Sequence, residues 1–142
     1  MGLTLTTTRD EIVSAILSGV TYEMKLNLKL LQSSGLSVRR LRVIGGGAKS
    51  PVWVQRKADI MGIPMAVLAA SEAAALGVAM LGAKAAGLID DLGVMAKQVV
   101  KIETVVEPND KEHEAYQRLF AIYEDLYPAI MGLNHRLAAL EQ

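Results

Sequence analysis

Apolar positions recur at two different spacings along this chain, and their alternation predicts a mixed α/β fold. From about Arg9 to Gln32 the spacing is three or four residues, typical of one helix face. Thr7 or Thr8 can cap this helix, with Glu11 near its first turn, and residues Ser33 to Gly35 end it. The positions that form the apolar stripe are Ile12, Ile16, Val20, Met24, Leu28 and Leu31.

A strand, a glycine-rich turn and a second helix are predicted next. The short β-branched-rich run of Leu41, Val43 and Ile44 predicts the strand, and three glycines follow it directly. Ser50 is a good N-cap, and Pro51 suits the first helical position, where a missing N–H costs nothing. We expect this helix to run to Met61.

The rest of the chain predicts two more extended segments and several helices, so the sheet has only two or three strands. Met65 to Leu68 and Val99 to Val106 are extended. Ser71 caps a helix from Glu72 to Ala86, and a short helix covers Asp90 to Gln98. A long helix runs from about Asp110 to Leu126, Pro128 kinks or ends it, and Ala129 to Leu140 form a further helix.

Two of these helices have distinctive faces. The helix after Ser71 is rich in alanine and glycine, and Gly77 and Gly82 in its middle indicate a closely approaching neighbour. The last long helix is aromatic on one side, with Tyr116, Leu119, Phe120, Tyr123 and Leu126 at helical spacing, and Tyr127 is also expected to pack.

Composition narrows the classes of function. The 15 basic and 15 acidic residues give no net charge, so no field favours nucleic acid or an anionic membrane. The absence of cysteine excludes thiolate sites and fits a reducing cytoplasm, and no signal peptide is evident. Hydrophobic residues make up 51% of the chain. Either apolar surface meets a missing domain or a partner, or alanine inflates the count.

The glycine turn is the strongest candidate for binding chemistry. A helix N-terminus carries free N–H donors and about half a positive charge, so a glycine-lined one invites a nucleotide or another anion. The segment matches neither the P-loop, which needs glycine at Ala48, nor the dinucleotide fingerprint, which needs glycine at Ser50. Lys49 either reaches a phosphate or is simply solvated.

Other polar residues are weaker candidates. Trp53 is expected to pack rather than stack on a base, and Arg56 and Asp59 are expected on a solvated helix face. His113 and His135 have no acidic partner at metal-ligand spacing, so no metal site is predicted. No catalytic base emerges from the sequence.

The wording of two segments resembles a known family. GGGAKSPVWVQRKADIMGIPM and SEAAALGVAMLGAKAAGL, followed by a tyrosine-rich helix with LYP, resemble the carboxy-terminal domain of FGGY-family carbohydrate kinases, especially their xylulose kinase-like branch. The segment GLTLTTTRDEIVSAILSG resembles the family's second signature region, although Ser18 stands where an acidic residue is usual.

This resemblance implies an actin-like, ribonuclease H-like ATPase fold, with residues 1–142 forming the carboxy-terminal part of the second of two domains. It implies ATP with magnesium as cofactor and a sugar held mainly by the missing domain. Gly46, Gly47 and Ala48 would lie against the adenosine, and Ser50 near the base or ribose. The cofactor-binding residues expected are therefore Gly45, Gly46, Gly47, Ala48, Lys49 and Ser50.

The family's catalytic aspartate and its magnesium-associated carboxylates belong to parts not present in this sequence. We therefore expect an adenosine-binding fragment of a sugar kinase, without turnover by itself. Two alternatives stay open. One is a noncatalytic module that self-associates through exposed apolar surface, and the other is an unrelated nucleotide-binding α/β protein.

Overall fold

A computed structural model describes residues 2–69 and 72–140 of the chain. Within these residues the chain forms five α-helices and three β-strands. In chain order they are α1 (Arg9–Ser33), β1 (Leu41–Val43), α2 (Pro51–Met61), β2 (Met65–Leu68), α3 (Ala73–Ala85), α4 (Leu92–Val99), β3 (Ile102–Val106) and α5 (Asp110–Ala138). The predicted mixed fold, helix-rich with a small sheet, is confirmed.

The chain divides into two compact units. The helical unit comprises the described parts of Met1–Ser37, Asp59–Gly62 and Asn109–Gln142. The sheet unit comprises the described parts of Val38–Ala58 and Ile63–Pro108.

The sheet unit has the strand order β1-β2-β3. β1 and β2 are parallel, with Leu41 opposite Met65, and α2 lies between them in sequence, as a parallel pair requires. β3 runs antiparallel to β2, and the register shifts between Val67 and Leu68. Met65 and Ala66 are buried, so β2 carries the core of this sheet.

The helical unit is built on aromatic packing between α1 and α5. Tyr22 of α1 forms its core with Ile60 and Phe120, and Tyr116 and Tyr123 pack against them. The ring of Tyr22 lies 5.2 Å from that of Tyr123 and 6.4 Å from that of Tyr116, centroid to centroid. The predicted packing of these two tyrosines of α5 is confirmed.

α1 begins as its sequence predicts. The backbone N–H of Glu11 donates to the Thr8 hydroxyl at 3.2 Å, and the N–H of Thr8 donates to the Glu11 carboxylate at 2.7 Å. This capping box satisfies two N–H groups at the helix start. The bonds from Thr8 also lower the pKa of Glu11.

The carboxyl end of α2 is held by side chains of the helical unit. Lys25 donates from Nζ to the carbonyl of Ile60 at 2.5 Å, and His113 donates from Nδ1 to the carbonyl of Asp59 at 2.7 Å. The other ring nitrogen of His113 lies 2.9 Å from the side-chain nitrogen of Gln117. Gly62 follows with φ +68°.

Asp59 is the clearest correction at this helix end. It was expected on a solvated face, but only 6% of its surface is exposed. Its carboxylate accepts the backbone N–H of Asn109 at 2.8 Å, just before α5. The N-cap of α5 is Asn109 itself, whose side-chain oxygen accepts the N–H of Glu112 at 3.1 Å.

The predicted apolar stripe of α1 exists but is largely not a core face. Of its six residues only Leu28 is buried, and Ile16, for example, is 62% exposed. The face that α1 buries carries Thr21, Tyr22, Lys25 and Leu28 instead. The aromatic face of α5 is partly wrong as well, because Leu119 is exposed and Tyr127 is 58% exposed.

Two expectations about helix interiors are also wrong. Pro128 does not end α5, which continues to Ala138 as one element, while a kink at Pro128 stays a prediction. Gly77 and Gly82 have no close neighbour, since a Cβ on either would meet nothing within 4 Å. The predicted cap at Ser71 lies outside the described residues.

Candidate functional site

The glycine turn connects β1 to α2 through one glycine with positive φ and a 3-10 turn. Gly45 has φ +76°, a conformation that side chains disfavour. Gly46 to Lys49 then form the 3-10 turn, in which Ala48 N–H donates to Gly45 O at 3.0 Å. Only the first of the three glycines is therefore required by its backbone conformation.

Gly47 is required for a different reason. A Cβ at this position would lie 2.9 Å from the ring of Trp53 and 3.3 Å from Nζ of Lys57. The turn and α2 thus pack directly against each other, which confirms Trp53 as a packing residue. A Cβ on Gly46 would meet nothing within 4 Å, so no contact inside the chain explains this glycine.

The start of α2 agrees with the predicted cap. Ser50 Oγ accepts the N–H of Trp53 at 3.4 Å, and its carbonyl accepts the N–H of Val54 at 2.9 Å. Pro51 is the first helical residue. The side-chain bond is long, so the cap holds this helix start weakly.

A cavity of about 500 Å³ opens beside this turn, within the sheet unit. It lies at the carboxyl ends of the parallel strands β1 and β2, where open α/β sheets bind ligands. The register shift after Val67 falls at its wall. Its lining residues are Gly45, Ala48, Lys49, Pro51, Val54, Val67, Leu68, Ala69, Glu103, Thr104 and Val106.

The cavity includes some of the predicted binding residues and adds others. Gly45, Ala48 and Lys49 line it, whereas Gly46, Gly47 and Ser50 are not among its lining residues. Sequence reasoning missed Glu103 and Thr104 of β3. The signal that would have found them is pairing between the two extended segments, because Thr104 lies opposite Val67.

The lining suits a ligand with an apolar part and a polar part. Most of its side chains are aliphatic, and the two ionisable ones are Lys49 and Glu103, both exposed. A volume of this size is in the range of small-molecule sites, roughly 300–1,000 Å³. Among the described residues no group of three or more histidine, aspartate or glutamate side chains could hold a metal ion.

The small sheet with its parallel strand pair and glycine turn, together with the five helices of the described residues, gives the class of protein: part of an actin-like ATPase fold. Solved structures agree. Xylulose kinase from Lactobacillus acidophilus superposes with a TM-score of 0.81 at 26% identity, over 92% of this chain and 26% of that one. A xylulose kinase from Brucella ovis gives 0.80 at 31% identity, over 93% and 28%.

Sequence comparison gives the family. The model described as FGGY family of carbohydrate kinases, C-terminal domain, matches residues 1–86, and this chain belongs to that family. Xylulose kinase of Bacillus subtilis is 30% identical over 134 residues, which cover 94% of this chain. This chain spans 27% of that relative, and 27% of the similar xylulose kinase of Staphylococcus epidermidis.

Proposed function

We propose that this chain is the adenosine-binding part of an ATP-dependent carbohydrate kinase that acts on a xylulose-like sugar. The observation that carries the proposal is the cavity of about 500 Å³ where the glycine turn meets the carboxyl ends of β1 and β2. Membership of the FGGY family supports it, and so does the resemblance to xylulose kinases over most of the chain.

In this proposal, residues of the glycine turn and residues of the cavity wall contact different parts of ATP. Gly45 and Ala48 would lie against the adenosine, because small residues let a flat ligand approach the backbone. Gly46, open on its outer side, would present its N–H to the nucleotide. Lys49 would reach a phosphate, and Glu103 would accept a hydrogen bond from a ribose hydroxyl, as acidic residues do in other nucleotide sites.

Gly47 and Ser50 remain in the proposed binding set for indirect reasons. Gly47 shapes the turn through its contact with Trp53, and Ser50 caps the helix whose N-terminus would face the ligand. Their effects on binding would come through the conformation of the turn.

Phosphoryl transfer requires groups beyond this cavity. Magnesium accompanying ATP is bound through phosphates and one or two carboxylates, and Glu103 is the one carboxylate among the lining residues. We expect the magnesium-associated carboxylates and the catalytic aspartate of the enzyme in parts outside this chain. The cytoplasmic setting stays a prediction from the lack of cysteine.

Calorimetric titration with adenosine, ADP and ATP tests the binding claim. We expect all three to bind, and Lys49→Met to weaken ATP and ADP about tenfold while adenosine binds as before, since only the phosphate contact is lost. Lys97→Met, which removes an exposed lysine of α4, is the matched control. No binding at millimolar nucleotide would exclude a formed site.

A coupled assay for ADP release tests the predicted lack of turnover. We expect no sugar-dependent ADP release from the 142-residue chain with xylulose, ATP and magnesium. Sugar-dependent release would show that this chain contains a complete phosphotransferase site.

A second candidate function, self-association without catalysis, is favoured by one observation. The apolar stripe of α1 remains exposed at Ile12, Ile16, Val20, Met24 and Leu31. Sedimentation velocity would show a dimer that Ile16→Glu disrupts and Gln32→Glu, at an exposed position on the same helix, leaves intact. A monomer at all concentrations would remove this candidate.

A further inference from the structure

Lys57 is a buried cation in the sheet unit. Only 7% of its surface is exposed, and Nζ lies 4.0 Å from the centroid of the Trp53 ring. Nζ is also 3.3 Å from the point that a Cβ on Gly47 would occupy. Among residues 2–69 and 72–140, no carboxylate forms a salt bridge with it.

Such a cation is under-compensated. Moving an ammonium out of water carries a large desolvation cost, and a cation–π contact returns only part of it. Burial accordingly lowers the pKa of Lys57. Buried charges in proteins are normally paired with an opposite charge.

Trp53, whose ring lies beneath Lys57, carries a second donor that lacks a partner. Nε1 of Trp53 is buried and has no hydrogen-bond partner within the described part of the chain. An indole N–H can only donate. Lys57 thus lacks a carboxylate partner and Trp53 Nε1 lacks an acceptor within the described residues. A Cβ on Gly47 would meet Nζ of Lys57 and the Cε3 and Cζ3 atoms of Trp53.

We propose that Lys57 and Trp53 form, beside Gly47, a binding site for an oxyanion: a phosphate or a carboxylate group. An oxyanion offers lone pairs to both donors and a charge to the ammonium. Neither residue lines the cavity beside the turn, so this site is separate from the proposed nucleotide cavity. Because Gly47 packs on the same ring, an anion bound there would also influence the conformation of the glycine turn.

The fluorescence of Trp53 provides a direct test, since it is the only tryptophan of the chain. The full chain is titrated with sodium phosphate and, separately, with sodium acetate, at constant ionic strength balanced by sodium chloride. We expect a saturable change in emission with at least one of the two. Lys57→Met should weaken that response at least tenfold, and Lys97→Met should leave it unchanged.

The arms separate the possible ligands and sites. A response to phosphate alone assigns a phosphate ligand, to acetate alone a carboxylate, and to both a general oxyanion site. A response lost in Lys49→Met but kept in Lys57→Met would place the anion in the cavity and overturn the proposal. No saturable response to either anion would overturn it too.

A measurement on the unmodified protein covers the case in which Lys57→Met does not fold. The single indole N–H gives one resonance in a ¹⁵N–¹H correlation spectrum. Anion binding should shift that resonance downfield as the N–H gains an acceptor. A resonance that stays in place at saturating phosphate and acetate would contradict the proposed site.

Discussion

The two ends of α2 differ in what satisfies their polar groups. At the carboxyl end, Lys25 and His113 donate to the carbonyls of Ile60 and Asp59, and Gly62 turns the chain away. At the amino end, Trp53 N–H donates to the Ser50 hydroxyl over a long distance of 3.4 Å. Within the described residues, side chains therefore bond the carboxyl end of α2 more closely than its amino end. Since free N–H groups at a helix start favour anions, this asymmetry supports a binding role for the glycine turn.

The largest effect is expected at the carboxyl end of α2, from Gly62→Ala. Its φ is +68°, and a Cβ would lie 2.3 Å from Cε1 of His113. The strained backbone costs about 1–2 kcal/mol and overpacking about 1–3 kcal/mol, so we expect a loss of about 4 kcal/mol in the free energy of unfolding. Urea unfolding followed by circular dichroism measures it.

Gly87→Ala is the matched control, because Gly87 has φ +71° but nothing within 4 Å of its Cβ position. It should cost about 1 kcal/mol, the backbone part alone. Equal losses at Gly62 and Gly87 would mean that the imidazole of His113 does not constrain this helix end.

In the glycine turn before the amino end of α2, Gly47→Ala should lower the free energy of unfolding by about 2–3 kcal/mol, because the new Cβ overlaps the rigid ring of Trp53. Gly46→Ala should change stability by less than about 0.5 kcal/mol, since its outer side is open. Chemical unfolding of both variants, paired with ATP titration, separates structure from binding. Weaker ATP binding by the stable Gly46→Ala variant would place the ligand at this glycine; unchanged binding would count against that placement.

Lys25, which donates to the carbonyl of Ile60 at the carboxyl end of α2, should make the free energy of unfolding depend on pH. Burial lowers the pKa of Lys25 to about 8 from 10.5, partly opposed by Glu124. Between these values the unfolded chain binds more protons, so stability should rise with pH, by about 2 kcal/mol from this group once solvent screening of the ammonium is allowed for. The difference between wild type and Lys25→Met, measured by urea unfolding from pH 7 to 10.5, isolates it. Parallel curves for the two proteins would show that Lys25 titrates normally.

The smallest effect is expected from Ser50→Ala at the amino end of α2. Its capping bond of 3.4 Å is long, so its loss should cost about 0.5 kcal/mol, at the low end for N-caps. Thr8→Ala, which removes the hydroxyl that accepts from Glu11 N–H and donates to the Glu11 carboxylate, should cost about 1–2 kcal/mol in the same unfolding experiment. A larger loss at Ser50 than at Thr8 would reverse our ranking of the two helix starts.

The elements themselves were predictable because their signals are local. Thr8 with Glu11, Ser50 with Pro51, and the β-branched runs specify helix starts and strands through neighbours a few positions away. The glycine turn was located by the same kind of signal, and so were three of the residues that line the cavity.

What failed depends on contacts distant in sequence. Asp59 looks like a surface residue until its acceptor role for Asn109, 50 positions away, is known. The buried face of α1 was misjudged because Tyr22 packs on Phe120 of α5, while a more apolar stripe stays exposed. Glu103 lines the cavity because β3 pairs with β2. The residues near Glu103 in sequence do not show which strand it pairs with.

α3 has none of its thirteen residues buried, and its interior glycines face open space. Its helical state therefore depends on the high intrinsic propensity of alanine, with little help from a core. Backbone amides in such an element open at low free energy, so they should exchange with deuterated solvent long before those of β2. The same openings expose Lys84 to trypsin, so we expect limited digestion to cleave after Lys84 sooner than after a lysine or arginine in a better-packed helix.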